Sequence, residues 1–245
     1  MELKRPSMIF FDFGGTLTND KPFDSERAGR AVYACASNPE ASDEETVVRL
    51  WMEMFSDACR QSHKDGIAME IPPMSAMVRC TLDRAGLKTN MSVVELETAV
   101  QWQWHPYPMM PDADKLLDLI YAKGIRSAVI SNYSISSATL CKRLAEMIPT
   151  HHFEFIITSS DYAYCKPSRQ FFEAAFGKAG SIDPRECWYC GDTFSADIIG
   201  ALGCGMTPIL LDRKSNVDVV HDQCEKGEFL RVNAWKSLIP LVERL

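Results

Sequence analysis

The chain has 245 residues, a formal net charge of −7, 46% hydrophobic and 24% charged residues, which is room for one large domain, or a core plus a smaller unit, in an ordinary soluble globular protein. The negative balance argues against a nucleic-acid partner, whose phosphates demand a basic surface, but leaves small phosphorylated substrates open, because one lysine and a metal can hold those. No apolar run approaches the ~18 residues that would span a bilayer, so no membrane partner is expected. The lead Met1–Pro6 leaves no room for a signal peptide before the first strand, and the nine scattered cysteines read as reduced core thiols of a cytoplasmic protein.

Met8-Ile9-Phe10-Phe11 predicts a strand buried on both faces, delivering Asp12 to the turn Phe13-Gly14-Gly15-Thr16-Leu17. A carboxylate and two glycines at the carboxyl end of such a strand stand where open α/β sheets bind ligands. From about residue 24 to 103 only helical periodicity appears. One helix is expected after a capping box at Ser42-Asp43-Glu44-Glu45, ending at His63-Lys64-Asp65-Gly66; a second spans Met74 to Arg84 and a third Ser92 to about Trp102. The aromatic, proline-rich stretch 102–108 suits a hinge.

Strands and helices then alternate, the pattern of a parallel sheet covered on both faces. Helix 112–123 precedes strand 126–130, which ends at Ser131-Asn132; helix 135–147 and strand 153–158 lead to the loop carrying Lys166-Pro167. Helix 168–176 is followed by strand 187–190, delivering Gly191-Asp192, and then by helix 195–202. Strand 208–211, a short edge strand at 229–232 and a closing helix at 234–245 complete the chain. Cys187-Trp188-Tyr189-Cys190 spells C-x-x-C, yet it reads as buried strand, without the helix N-terminus or second pair that redox or zinc chemistry would use. His151-His152 reads as solvated. Two carboxylates, Asp12 and Asp192, meeting at one sheet edge repel each other unless a cation sits between them, and an oxygen-seeking ion such as Mg²⁺ suits that arrangement.

Four motifs in this order, at Asp12…Thr16, Ser131-Asn132, Lys166-Pro167 and Gly191-Asp192…Asp197, resemble those of the haloacid dehalogenase (HAD) superfamily, and the resemblance spans nearly the whole chain. It implies a Rossmann-like parallel sheet with helices on both faces, residues 1–19 and 106–245, and a small α-helical cap, residues 20–105, inserted between the first two motifs. It further implies a nucleophile at Asp12, with Lys166 and Ser131 assisting. Gly15, Thr16, Ser131, Asn132 and Lys166 would bind the phosphoryl group. Mg²⁺ would be held by Asp12, the Gly14 carbonyl and Asp192, with Asp197 in support.

The chain departs from that pattern at Gly14, where the family's phosphatases carry a second acid that protonates the leaving group. General acid–base help of this kind is worth ~10²–10⁴-fold, and glycine offers none. A substitute such as Asp20, a leaving group that needs no protonation, or a catalytically silent binding protein would each accommodate the change. Phosphonoacetaldehyde hydrolases also have a small residue there and use a cap lysine, for which Lys21, Lys64 and Lys88 are the candidates. The 2-haloacid dehalogenases use no metal, against the Asp192…Asp197 pattern. The expected order is therefore phosphatase acting on a small phosphorylated metabolite, then C–P hydrolysis, then dehalogenation. The sequence carries no signal for oligomeric state.

Overall fold

A computed structural model describes residues 3–19, 24–62, 72–101, 108–162 and 164–245. Seven strands form one sheet in the order β3-β2-β1-β4-β5-β7-β6. β1 (Met8–Phe11) lies at its centre between β2 (Arg126–Ser131) and β4 (Cys187–Gly191), parallel to both, with Phe11 level with Val129 and Cys190. β3 (Ile156–Thr158) and β5 (Thr207–Leu211) extend the parallel sheet on either side. All four β1 side chains are fully buried and alternate between faces: Ile9 and Phe11 join one apolar cluster, Met8 and Phe10 the other. That two-sided burial is why the strand reads as an unbroken apolar run.

Helices cover both faces. On one side α5 (Ala113–Ala122) and α9 (Trp235–Glu243) set Leu116, Ile120, Trp235 and Leu238 into the larger cluster. On the other, α7 (Arg169–Lys178) and α8 (Ile199–Cys204) bring Phe171, Phe172 and Ala201 against Phe10 and Tyr189. Crossovers running through helices force parallel neighbours and leave the strand carboxyl ends clear for a site. One crossover helix, α6 (Ser137–Met147), follows β2, its N-terminus capped by the Ser136 hydroxyl, which accepts from the Thr139 N–H at 3.3 Å.

Between β1 and α5 the described residues form helices α1 (Ser25–Ala34), α2 (Glu44–Ser62), α3 (Met74–Arg84) and α4 (Val93–Gln101), with a single 3₁₀ turn and no strand. Val32, Val47, Trp51, Val78, Leu82 and Leu96 bury their side chains among them, continuous with the cluster on the sheet face. Gly29 lets α1 and α2 cross closely, since a Cβ there would lie 2.9 Å from the Val48 Cα. The chain leaves and returns through adjacent segments: Thr18 bridges Met109, and the Asn19 N–H donates to the Pro108 carbonyl at 2.9 Å.

Several local expectations are corrected. The cap of α2 is Asp43 rather than Ser42, its carboxylate accepting from the Thr46 N–H at 2.8 Å and hydroxyl at 2.9 Å. The capping box lies instead at Ser92 and Glu95, where Glu95 Oε2 accepts from the Ser92 N–H at 2.7 Å and the Ser92 hydroxyl accepts from the Glu95 N–H at 3.4 Å. Strand β3 is shorter than 153–158. The segment 229–232 is not an edge: β7 (Gly227–Val232) pairs with β5 and is covered by an antiparallel β6 (Val219–Cys224). Polar His221, Asp222 and Gln223 hide β6 from apolar periodicity, and Arg231 on β7 fastens it by ion pairs to Asp222 and, at 3.4 Å, to Asp212 on the loop after β5. The expected helix at 195 opens as a π-helical turn, Phe194–Ile198, before α8. The ends of helix 63–66, the hinge aromatics 102–107 and the candidates Asp20, Lys21 and Lys64 lie outside the described residues.

Candidate active site

The site is built at the carboxyl ends of β1, β2 and β4. Asp12 leaves β1 with its N–H held by the Cys190 carbonyl at 2.9 Å, and the chain then closes a tight turn in which the Leu17 N–H donates to the Phe13 carbonyl at 2.8 Å. Gly15 takes φ +71°, and a Cβ on it would stand 2.2 Å from Asp192 Oδ2. The turn therefore needs glycine twice over, for the left-handed backbone and for its approach to the acid at the end of β4. Thr16 is fully buried; its carbonyl accepts from the Trp235 indole N–H at 2.8 Å, and its hydroxyl has no partner among the described residues.

Asp12 Oδ1 accepts two bonds, from the Ser131 hydroxyl at 2.8 Å and from Lys166 Nζ at 2.7 Å. The same ammonium donates to Asp197 Oδ1 at 2.7 Å and to the Tyr189 hydroxyl at 2.7 Å, so all three of its donors are engaged. The Tyr189 hydroxyl donates onward to the Ile130 carbonyl at 2.8 Å. Asp197 Oδ2 accepts from the Thr193 N–H at 2.9 Å. This bond closes across the π-helical turn, and Gly191 makes room for it, because a Cβ there would lie 2.3 Å from Asp197 Oδ2. Asn132 engages the Lys166 backbone: its side chain forms a reciprocal pair, accepting from the Lys166 N–H at 2.8 Å and donating to the Lys166 carbonyl at 2.9 Å.

Electrostatics follow from burial and count. Burial alone would push the Lys166 ammonium down, but Asp12 and Asp197 outweigh it and hold the group above the ordinary lysine range. Burial, with Asp197 and Asp12, keeps the Tyr189 phenol neutral well above its usual value. Burial, then the charges of Asp12 and Asp197, pushes the Asp192 carboxyl up to about 6. One ammonium thus faces three carboxylates, with one oxygen of each lying within 4.8 Å of the others.

That excess of negative oxygen donors fits a divalent hard cation. Asp12 and Asp192 have oxygen atoms to offer. Asp197, with one oxygen on Lys166 and the other on Thr193, supports from behind. Gly14 sits half-buried in the turn two residues after Asp12.

Of the residues singled out in the sequence, Asp12, Ser131, Lys166, Asp192 and Asp197 converge, Gly15 borders Asp192, and Asn132 acts one bond removed. Lys88 is exposed on the helical unit, its backbone bonded to Ser37 and Asn38. His152 and His151 stack on Tyr121 and Phe153. Cys187 and Cys190 are buried thiols, Cys187 pushed up to about 12 by burial. Tyr189 was hidden in a strand that reads as apolar; a tyrosine in a buried run is itself the signal, because its hydroxyl needs a partner.

A central parallel sheet with a carboxylate–lysine–carboxylate cluster at its carboxyl edge is an α/β fold with a charged site where open sheets of this kind bind ligands. The haloacid dehalogenase-like hydrolase family model matches residues 6–205, and the chain belongs to that family of hydrolases. It is 30% identical over 120 residues to glyceraldehyde 3-phosphate phosphatase of Methanothermobacter thermautotrophicus, covering 49% of this chain and 51% of that protein. It is 24% identical over 177 residues to haloacid dehalogenase-like hydrolase domain-containing protein 3 of Bos taurus, covering 69% and 66%. The chain spans about half the length of the first of these curated relatives. Among solved structures, a HAD phosphatase from Thermococcus onnurineus aligns with a TM-score of 0.56 at 17% identity, covering 96% of this chain and 97% of that one. The 2-haloacid dehalogenase of Pseudomonas syringae aligns at 0.57 and 20%, covering 97% of each. These two likenesses concern the fold. Among the described residues no helix is long and apolar enough to cross a membrane.

Proposed function

We propose that the protein is a Mg²⁺-dependent phosphatase acting on a small phosphorylated metabolite, with Asp12 as nucleophile and residues 20–105 as a helical cap that selects the substrate. The observation that carries this reading is the state of Asp12: one oxygen is pinned by Ser131 and Lys166, while Oδ2 has no hydrogen-bond partner among the described residues. A nucleophile fixed in orientation with one oxygen available suits in-line attack on phosphorus. The name of the Methanothermobacter relative supports a phosphate ester as substrate. A cation bound between Asp12 and Asp192, with the Gly14 carbonyl, would neutralise charge on the transferring phosphoryl oxygens.

The steps fall to the chain's own residues. Asp12 forms a bond to phosphorus as the ester P–O bond breaks, giving an aspartyl-phosphate. Lys166 and Ser131, freed from Asp12 Oδ1 in part, turn their donors to the phosphoryl oxygens, while Gly15 offers its backbone N–H and Thr16 offers its own once released from the Phe13 carbonyl, to which it donates at 3.3 Å. Water then attacks phosphorus, releasing inorganic phosphate and restoring the Asp12 carboxylate. Gly14 supplies no proton, so the departing alkoxide takes one from solvent or the cap. The free, buried thiols Cys35, Cys187, Cys190 and Cys204 suit a reducing, cytoplasmic setting.

Comparing wild type with Gly14→Asp on p-nitrophenyl phosphate and an alkyl phosphate tests this reading. Wild type should turn over the aryl ester with Mg²⁺, because that leaving group departs unprotonated. Gly14→Asp should gain about 10²-fold on the alkyl ester and little on the aryl one. A wild type inert towards p-nitrophenyl phosphate at saturating Mg²⁺ would sink the proposal.

A further inference from the structure

The loop Asn132–Ser136, which follows the site serine on β2, is fastened at almost every residue. Asn132 pairs with the Lys166 backbone at 2.8 and 2.9 Å. The Tyr133 N–H donates to the Ser159 hydroxyl at 3.0 Å, and the Tyr133 ring stands edge-on to Phe13, the neighbour of Asp12, with centroids 5.4 Å apart. The other fastenings come from the helical unit. The Met74 N–H at the start of α3 donates to the Ser134 carbonyl at 2.7 Å. Glu97 on α4 receives Ser136: its Oε2 accepts from the Ser136 N–H at 2.9 Å, the Ser136 hydroxyl at 2.5 Å and the Thr139 hydroxyl at 2.6 Å.

Glu97 is fully buried, as are Gln101 beside it and Thr139 opposite. A buried carboxylate is tolerated only when donors and a favourable field surround it. Here three donors meet Oε2 while Oε1 is buried with no partner among the described residues, and the N-terminus of α6 presents its positive end to the carboxylate. Gln101 adds a bond from its amide to the Tyr133 hydroxyl at 3.2 Å. The contact between α4 and α6 is therefore a directional polar seam, which holds one docked register where an apolar seam could slide. From the core side, Asp161 also caps α6, accepting from the Ser137 N–H at 2.8 Å, so α6 keeps an anchor when Glu97 is altered.

We propose that Glu97 is a positioning residue: by fastening α4 to the start of α6 it holds the 132–136 loop, and through Asn132 the backbone of Lys166, in the geometry that brings the ammonium to Asp12. Docking of the helical unit is thus coupled to assembly of the catalytic centre. The consequence for turnover rests on the phosphatase reading; the structural coupling does not.

Amide hydrogen exchange on wild type, Glu97→Ala, Glu97→Gln and Thr139→Ala separates the two. Glu97→Ala should lower protection of the Lys166 and Tyr133 amides about tenfold relative to the β1 amides, while Glu97→Gln, which keeps an acceptor oxygen, retains most of it. A role limited to overall stability would move Lys166 and β1 together, and that outcome overturns the proposal. So does loss confined to the first turn of α6. If Glu97→Ala does not fold, Thr139→Ala must show the same pattern at smaller amplitude. On p-nitrophenyl phosphate, Glu97→Ala should lose about tenfold in kcat, and the loss should shrink to less than about twofold when Asn132→Ala is already present. Equal losses in both backgrounds contradict the route through Asn132. A wild type without turnover defeats the phosphatase reading and leaves the exchange result to decide this one.

Discussion

Lys166→Met removes the ammonium that three acceptors share, and the loss appears in stability and activity together. The side chain is almost fully buried against Asp12 and Asp197 at 2.7 Å each, and methionine fills similar space without charge. Removing one partner of a buried ion pair costs about 3–5 kcal/mol, because the other charge is left without compensation. Two carboxylates are abandoned here, so the upper end of that range is expected in denaturant titration without metal. Added Mg²⁺ should recover part of the stability, since the cluster becomes a stronger cation trap. It should not recover turnover, which on the proposed phosphatase reading falls about 10²–10³-fold with the loss of a donor to the phosphoryl oxygens. A variant that melts like wild type without Mg²⁺ would show that the ammonium does not neutralise this cluster.

Gly15→Ala tests the other half of the site. A Cβ at Gly15 would lie 2.2 Å from Asp192 Oδ2 and 2.7 Å from its carboxyl carbon, on a backbone at φ +71°. Either the turn lifts away from β4 or Asp192 swings out, and each separates Asp12 from Asp192. Mg²⁺ affinity measured by calorimetry should fall about 10–100-fold, the scale on which displaced ligands and their supports weaken a metal site. Gly86→Ala is the matched control: Gly86 has φ +69° and nothing within 4 Å of its Cβ position. It carries the left-handed strain of roughly 1–2 kcal/mol without the clash, and should leave Mg²⁺ binding unchanged. Equal effects at the two glycines would mean that backbone strain alone, rather than the approach to Asp192, governs the site.

The parts of the molecule legible in the sequence are those where one physical demand dominates. β1 is an apolar run because both of its faces are buried, and Asp12 stands out because it ends that run beside Gly14 and Gly15. Lys166, Ser131, Asp192 and Asp197 were legible through motif order, which fixes the strand ends. The helix over 74–84 was legible through its apolar spacing. What escaped was set by tertiary context. β6 carries His221, Asp222 and Gln223 and exists because β7 needs a partner; no local periodicity announces it. The π-helical turn after β4 arises because Asp197 must reach back to Thr193 and Lys166, a constraint absent from the helical pattern of 195–202. The pairing of the Asn132 amide with the Lys166 backbone has no signal in the sequence. Glu97 carries no signal of its own within the helical pattern from Ser92, and only the packing of α4 on α6 gives it a buried role.

Acid quenching of the wild-type protein during Mg²⁺-dependent turnover of p-nitrophenyl phosphate, followed by mass spectrometry of the peptide containing Asp12, bears most directly on the nucleophile. The peptide should carry a phosphoryl group on Asp12, labile to hydroxylamine and missing from Asp12→Asn, which should also be inactive. Steady turnover by the wild type with no phosphoryl group trapped on Asp12, or undiminished turnover by Asp12→Asn, would contradict it.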